Sequence, residues 1–337
     1  MPKNNQPEYF GGQALIEGVM MQGTQGYAMA SRTPDGRIVY KTGKRKSIKS
    51  RHKLLTLPLI RGVVSFAESM YVGFSSLTWS AFQAGEEEED KLTWQDMVLA
   101  IGMALVLTAV FFVILPVFLA SFTLDYLGPF GRSLIEGLIR VALFLGYVVA
   151  IRQIPDVARV FEYHGAEHKT INAWEAGLPL TVENIQKQSR INCRCGTSFI
   201  VMSLIMMVLI FTFVGNTSVI GRIITKLVAM PVVMGVAYEV FRLPLKYPDN
   251  PIVKILIAPG LQLQRLTTKE PDAREIEVAM AALLKVPAFP GAADNELPPK
   301  MIDELTLQAE QAAKNKAKDN LNNNVNNENT ILTTEGI

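Results

Sequence analysis

The chain has 337 residues, 49% of them hydrophobic and 19% charged, with a net charge of +2 and a mean hydropathy of +0.21. That balance is too apolar for an ordinary soluble protein and points to membrane spans; with no basic cluster interleaved with aromatics, it argues against nucleic-acid binding. The two cysteines, Cys193 and Cys195, stand one residue apart, which is not the pattern of a secreted disulfide framework.

Residues 1–96 read as an N-terminal cytoplasmic module of α+β type. The first residues, MPKNNQPEYFGG, lack the apolar core of a signal peptide, so insertion is expected to rely on internal spans. The segment GGQALIEGVMMQG, 11–23, is rich in glycines that permit tight turns, but it holds no phosphate-cradling motif. Within it, Glu17 is expected to pair with a cation of the basic stretch KTGKRKSIKSRHK or, alternatively, to serve as a metal ligand. YAMASRTPDGRIVYKT predicts a β-hairpin around Pro34-Asp35-Gly36. Residues 58–82 predict an amphipathic helix lying on the membrane surface, with a fifth span as the alternative. EEEED, 86–90, reads as a solvated acidic linker.

Residues 97–241 predict a membrane bundle of about four helices. The run 97–122 carries no charge and would reach roughly 39 Å as a helix, enough to cross a ~30 Å hydrocarbon core, with a kink at Pro116. A second span, 133–151, contains Glu136 and Arg140 at i,i+4, a spacing that predicts an ion pair within one helix. The third and fourth are 199–215 and 219–241, the latter with Arg222 and Lys226 expected to snorkel toward the interface. Lys and Arg concentrate before the first span, in the loop 152–198 and after the fourth. This places both termini and that loop in the cytoplasm, with the protein multi-pass in the inner membrane.

The loop 152–198 carries YHGAEHKTINAWEAG. A helix over about 156–176, stopped by Gly177 and Pro179, puts His164 and His168 on one face at i,i+4, close enough to share one ion. His164-x-x-Glu167-His168 follows the H-x-x-E-H order in which two histidines hold zinc and the glutamate serves as general base. The competing reading is two hydrogen-bonded histidines packing a helix against the bundle. Cys193 and Cys195 precede the third span and Glu239 closes the fourth, so all are expected at one depth and complete the ligand set. After 242 the chain predicts a cytoplasmic helical segment, 242–290, with Pro271 in the first turn of a helix. A further helix after Pro299 and an Asn-rich tail are expected over 291–337.

Four blocks, GGQALIEGVMMQG, EYHGAEHKTINAWEAG, TVENIQKQSRINCRCGTSF and APGLQLQRLTTKEPD, together resemble the YqhQ-type bacterial proteins, a domain-of-unknown-function family described as predicted metal-dependent enzymes. The resemblance covers most of residues 9–285. It implies a membrane protein with a metal site and no particular reaction. Where the family often reads His-x-Arg-Cys-Gly, Asn192 stands at the histidine and Cys195 matches the cysteine, with Cys193 a substitute donor.

Two functions follow. One is a zinc-dependent hydrolase at the cytoplasmic membrane face. Its metal, a divalent ion of zinc type, would sit on His164, His168 and Cys195 or Glu239, with Glu167 as general base and a membrane-embedded peptide or lipid as substrate. The other is a non-enzymatic scaffold, transporter or lipid-handling protein with a structural metal or His–Glu cluster.

Overall fold

The structure, a computed structural model, describes residues 9–44, 47–50, 52–85, 94–122, 128–212, 218–292, 295–311 and 313. The acidic run 86–90 and most of the Asn-rich tail lie outside these residues.

Four N-terminal strands form an antiparallel meander: β1 (Gly11–Leu15), β2 (Gly18–Gln22), β3 (Gly26–Arg32) and β4 (Ile38–Lys44). β5 (Met301–Asp303) joins β4 in parallel, so the segment after Pro299 begins as a strand before turning helical over 304–311. The β3–β4 hairpin pairs Arg32 with Ile38 around the expected Pro34-Asp35-Gly36 turn. The β1–β2 hairpin was not anticipated, because its glycines read as turn formers and not as strand residues.

Both faces of the sheet are covered, which explains the unbroken apolar run of β2. Val19, Met21, Ala28, Ala30 and Ile38 point into one core, and the alternate residues Met20, Met29 and Val39 point into another. The first core is filled by α5 (Pro155–Glu175) and α11 (Ala273–Leu284). The second is filled by Trp79 of α1 (Ile60–Ala84) and by Leu307. Boundaries drawn at 96/97 and 241/242 therefore cut the chain between segments that fold into one core.

Local chemistry sets the ends of these helices. Gly177 takes φ +68, and Gly177 and Leu178 donate to the Trp174 and Ala173 carbonyls at 2.9 and 3.1 Å, closing α5 in a Schellman motif. α11 starts at Asp272, whose carboxylate accepts from the Arg274 and Glu275 amides while Glu275 reaches back to the Asp272 amide. Asp272 thus holds the cap, and Pro271 precedes the helix instead of occupying its first turn.

Among the described residues, three helical stretches are long and apolar enough to cross a membrane: Val98–Ser121, Phe130–Ile151 and Val219–Lys246. The first comprises α2 (Trp94–Ala109) and α3 (Leu115–Ser121), joined by a π-helical turn at Val110–Ile114. The others are α4 (Gly128–Ile151) and α8 (Val219–Phe241), the latter continued by α9 (Leu243–Lys246). The expected third span is the shorter apolar helix α7 (Gly196–Thr212), with 213–217 outside the described residues. α1 is not among the long apolar helices. α7 packs between α8, α4 and α10 (Pro251–Thr267).

Two polar contacts differ from the helix-local expectation. Glu136 pairs with Arg222 at 2.8 Å and with Lys226, both on α8, and not with Arg140 one turn along its own helix. Arg222 and Lys226 are accordingly buried instead of snorkelling. Arg140 serves another purpose. Pro116 has no N–H to give the Phe112 carbonyl four residues earlier, and the Arg140 guanidinium Nε supplies it at 2.6 Å.

Candidate metal centre

The centre is assembled where α5, the N-terminus of α7 and the C-terminus of α10 meet. The short helix α6 (Val182–Gln186) and the loop after it run back along α5. α5 can lie this close to the 267–271 segment because residue 165 is glycine: a Cβ there would fall 2.1 Å from the Lys269 carbonyl oxygen.

Both imidazoles are oriented by backbone carbonyls. His164 Nδ1 lies 2.8 Å from Thr267 O, and His168 Nδ1 lies 2.6 Å from Arg190 O. A carbonyl oxygen only accepts, so each Nδ1 carries the proton and each Nε2 keeps its lone pair. His164 Nε2 is 3.1 Å from Cys195 Sγ, and the two rings are 4.4 Å apart between centroids. His168 is 1% exposed, and its Nε2 has no partner among the described residues. Donor atoms of His164, His168 and Cys195 all lie within 4.8 Å of one another.

Cys195 is held by the start of α7. Its Sγ accepts from the Thr197 amide at 3.4 Å and shares a hydrogen bond with Thr197 Oγ1 at 3.1 Å, while its carbonyl accepts from Ser198. The preceding turn is fastened by Asn192. Its amide donates to Gln264 Oε1 at 2.9 Å, its carbonyl accepts from Gln264 Nε2 at 2.7 Å, and its side chain bridges Asn172 and Arg194. Asn192 is thus a positioning residue for the Cys195 loop, its side chain already spent.

Glu167 is 3% exposed, and its carboxyl faces β1. An added Cβ at Gly12 would come within 2.9 Å of Oε1, and Oε2 has no partner among the described residues. Burial pushes the carboxyl up to about 7, opposed by the nearby His164 and by a hydrogen bond from the Gly12 amide.

The remaining candidates lie elsewhere. The Glu239 carboxylate is taken by the Arg61 guanidinium in a two-pronged ion pair, Nε to Oε1 at 2.7 Å, which ties α1 to α8. It is not in the donor cluster. Cys193 is exposed and also outside the cluster. Glu17 does pair with a cation, but the cation is Arg159 of α5 (Nη2 to Oε2, 2.7 Å) and not one from the basic segment. The Thr267 and Arg190 carbonyls had no signature in the sequence, since any residue offers one. Thr197, two residues after Cys195, did offer a signal as the donor that caps the thiol.

The family described as "Protein of unknown function (DUF1385)" matches residues 57–288. The chain belongs to this family. The "Uncharacterized protein YqhQ" of Bacillus subtilis (strain 168) is 38% identical over 294 residues, 83% of this chain and 92% of the relative. No solved structure matches. The DUF1385 match takes in the whole donor cluster and Glu167, while β1–β4 precede it.

Proposed function

We propose that this protein is a multi-pass membrane protein that binds a divalent cation, of zinc type, on His164 Nε2, His168 Nε2 and Cys195 Sγ, and acts as a hydrolase at the inner face of the membrane. One observation carries the reading. Two histidines whose Nδ1–H groups are committed to backbone carbonyls place their Nε2 atoms beside one thiol, His164 Nε2 in contact with it and His168 Nε2 without another partner among the described residues. Ligand histidines are held in this way in metalloproteins, the outer hydrogen bond setting tautomer and ring angle. Two imidazoles and a thiolate suit zinc by softness and geometry.

A structural zinc site has four protein ligands, whereas a catalytic one has three and leaves a position open. Three are found among the described residues. When bound, zinc activates water near neutral pH and polarises carbonyl or phosphoryl oxygens. Glu167, with its carboxyl near 7, can hold or release a proton under those conditions. The substrate class is a lipid headgroup or a membrane-embedded peptide, because the ligand Cys195 immediately precedes the apolar helix α7. α4 and α8 run into α5 and α9–α10 on the side of the sheet, and the cations Arg152, Arg190, Arg194, Arg242 and Lys246 cluster there in sequence. This supports a cytoplasmic sheet domain, four spans and both termini inside.

One feature favours a structural metal instead: the donors come from two elements, α5 and the turn before α7, which a cation would staple together, and the Glu167 carboxyl faces Gly12. Metal content separates both readings from no metal at all. Detergent-purified wild type, Glu239→Gln and Cys193→Ser should carry one equivalent, and His164→Ala/His168→Ala and Cys195→Ala should not. Equal, near-zero metal in every sample would end the proposal. Cobalt substitution then separates the two metal readings. An open position predicts a visible spectrum that changes with added azide; a closed structural site predicts a visible spectrum that azide leaves unchanged.

A further inference from the structure

A second group of charged side chains lies at the opposite end of the apolar helices. Glu136 of α4 meets Arg222 and Lys226 of α8, where α4 and α8 begin and α7 ends; Lys226 Nζ sits 5.4 Å from the Phe211 ring centroid. Glu136 is 15 residues before Ile151, the last of α4, or ~22 Å of helix. The group is therefore remote from the His–Cys cluster.

Its charge does not balance among these three side chains. Glu136 is 1% exposed, Arg222 8% and Lys226 4%, so two buried cations share one carboxylate. Arg140, 2% exposed, stands one turn after Glu136 on the same face of α4. An uncompensated buried charge is costly, and more so in helices apolar enough to span a membrane.

Donors also remain. Arg222 uses Nη1 on Glu136, while its buried Nε has no partner among the described residues. Lys226 Nζ has three protons and spends one on Glu136. Arg140 spends Nε on the Phe112 carbonyl, and its buried Nη2 has no partner among the described residues. Glu136 thus fixes two cations side by side without exhausting them, the arrangement that charge-assisted binding of an oxyanion requires.

We infer that this end of the bundle binds a phosphate-type oxyanion, on Arg222 Nε and Lys226 Nζ with Glu136 holding both in place. The inference rests on the membrane reading but not on the metal centre. The same chemistry is offered by inorganic phosphate and by the headgroup of an anionic phospholipid.

The test is thermal unfolding of the full chain in detergent. Inorganic phosphate is titrated at constant ionic strength in one arm, and phosphatidylglycerol is compared with phosphatidylcholine in mixed micelles in the other. Stabilisation by both phosphate and phosphatidylglycerol supports a site that takes the free ion, and stabilisation by phosphatidylglycerol alone supports a lipid site. Lys226→Met and Arg222→Met should each weaken the apparent affinity at least about tenfold, the loss of one charge-assisted bond. If these variants do not fold, phospholipid phosphorus retained by washed wild type decides in their place. Absence of any wild-type stabilisation together with no retained phospholipid overturns the inference, as does unchanged affinity in folded variants.

Discussion

Glu167→Gln should stabilise the metal-free protein, and only above acid pH. In the folded chain burial holds the Glu167 carboxyl near 7, whereas an unfolded glutamate titrates near 4.5. Between these values the folded state keeps a proton that the unfolded state has lost. Stability therefore falls as pH rises from about 4.5 to about 7 and levels off above. At about 1.4 kcal/mol per pH unit, the whole effect approaches about 3 kcal/mol. Glutamine is isosteric, still accepts from the Gly12 amide and carries no charge to desolvate. With metal chelated, melting temperatures of wild type and variant should coincide near pH 4.5 and diverge up to pH 8, the variant melting higher by several degrees. Curves that stay parallel over this range would refute the account of Glu167 as a buried, proton-holding carboxyl.

Three further outcomes follow from other contacts. Arg140→Met strips the Phe112 carbonyl of its donor and should lower stability by about 1–3 kcal/mol; Pro116→Ala, which restores a backbone donor, should recover part of that loss in a double-mutant cycle read by thermal unfolding in detergent. Gly165→Ala forces a methyl to 2.1 Å from the Lys269 carbonyl and should abolish folded protein in size-exclusion chromatography, whereas Gly177→Ala at φ +68 should cost only about 1 kcal/mol. Glu239→Gln should loosen α1 from α8, seen as faster proteolysis near Arg61, with metal content unchanged.

Local signals made much of this molecule legible in the sequence. The Pro34-Asp35-Gly36 turn marked the β3–β4 hairpin, Gly177 marked the end of α5, and long, mostly apolar runs marked α2–α3, α4 and α8. The four-residue spacing brought His164 and His168 together, as helix geometry requires. What local pattern could not show were partners chosen across the fold. Glu136 had Arg140 four residues away and took Arg222, 86 residues away, because burial against α8 offered two cations at once. Glu239 stood at the right depth for a metal ligand and was claimed by Arg61, 178 residues earlier. The glycines of β1 and β2 suggested turns, yet Gly12 is small because the Glu167 carboxyl lies against it. Its role became visible only when α5 and the sheet were brought together.

X-ray absorption at the zinc edge, on wild type purified without added chelator, tests the central claim most directly. The account predicts a first shell of two nitrogens at ~2.0–2.1 Å and one sulfur at ~2.3 Å, with the sulfur absent in Cys195→Ser. A shell of oxygens alone, or a sulfur signal that survives Cys195→Ser, would contradict it.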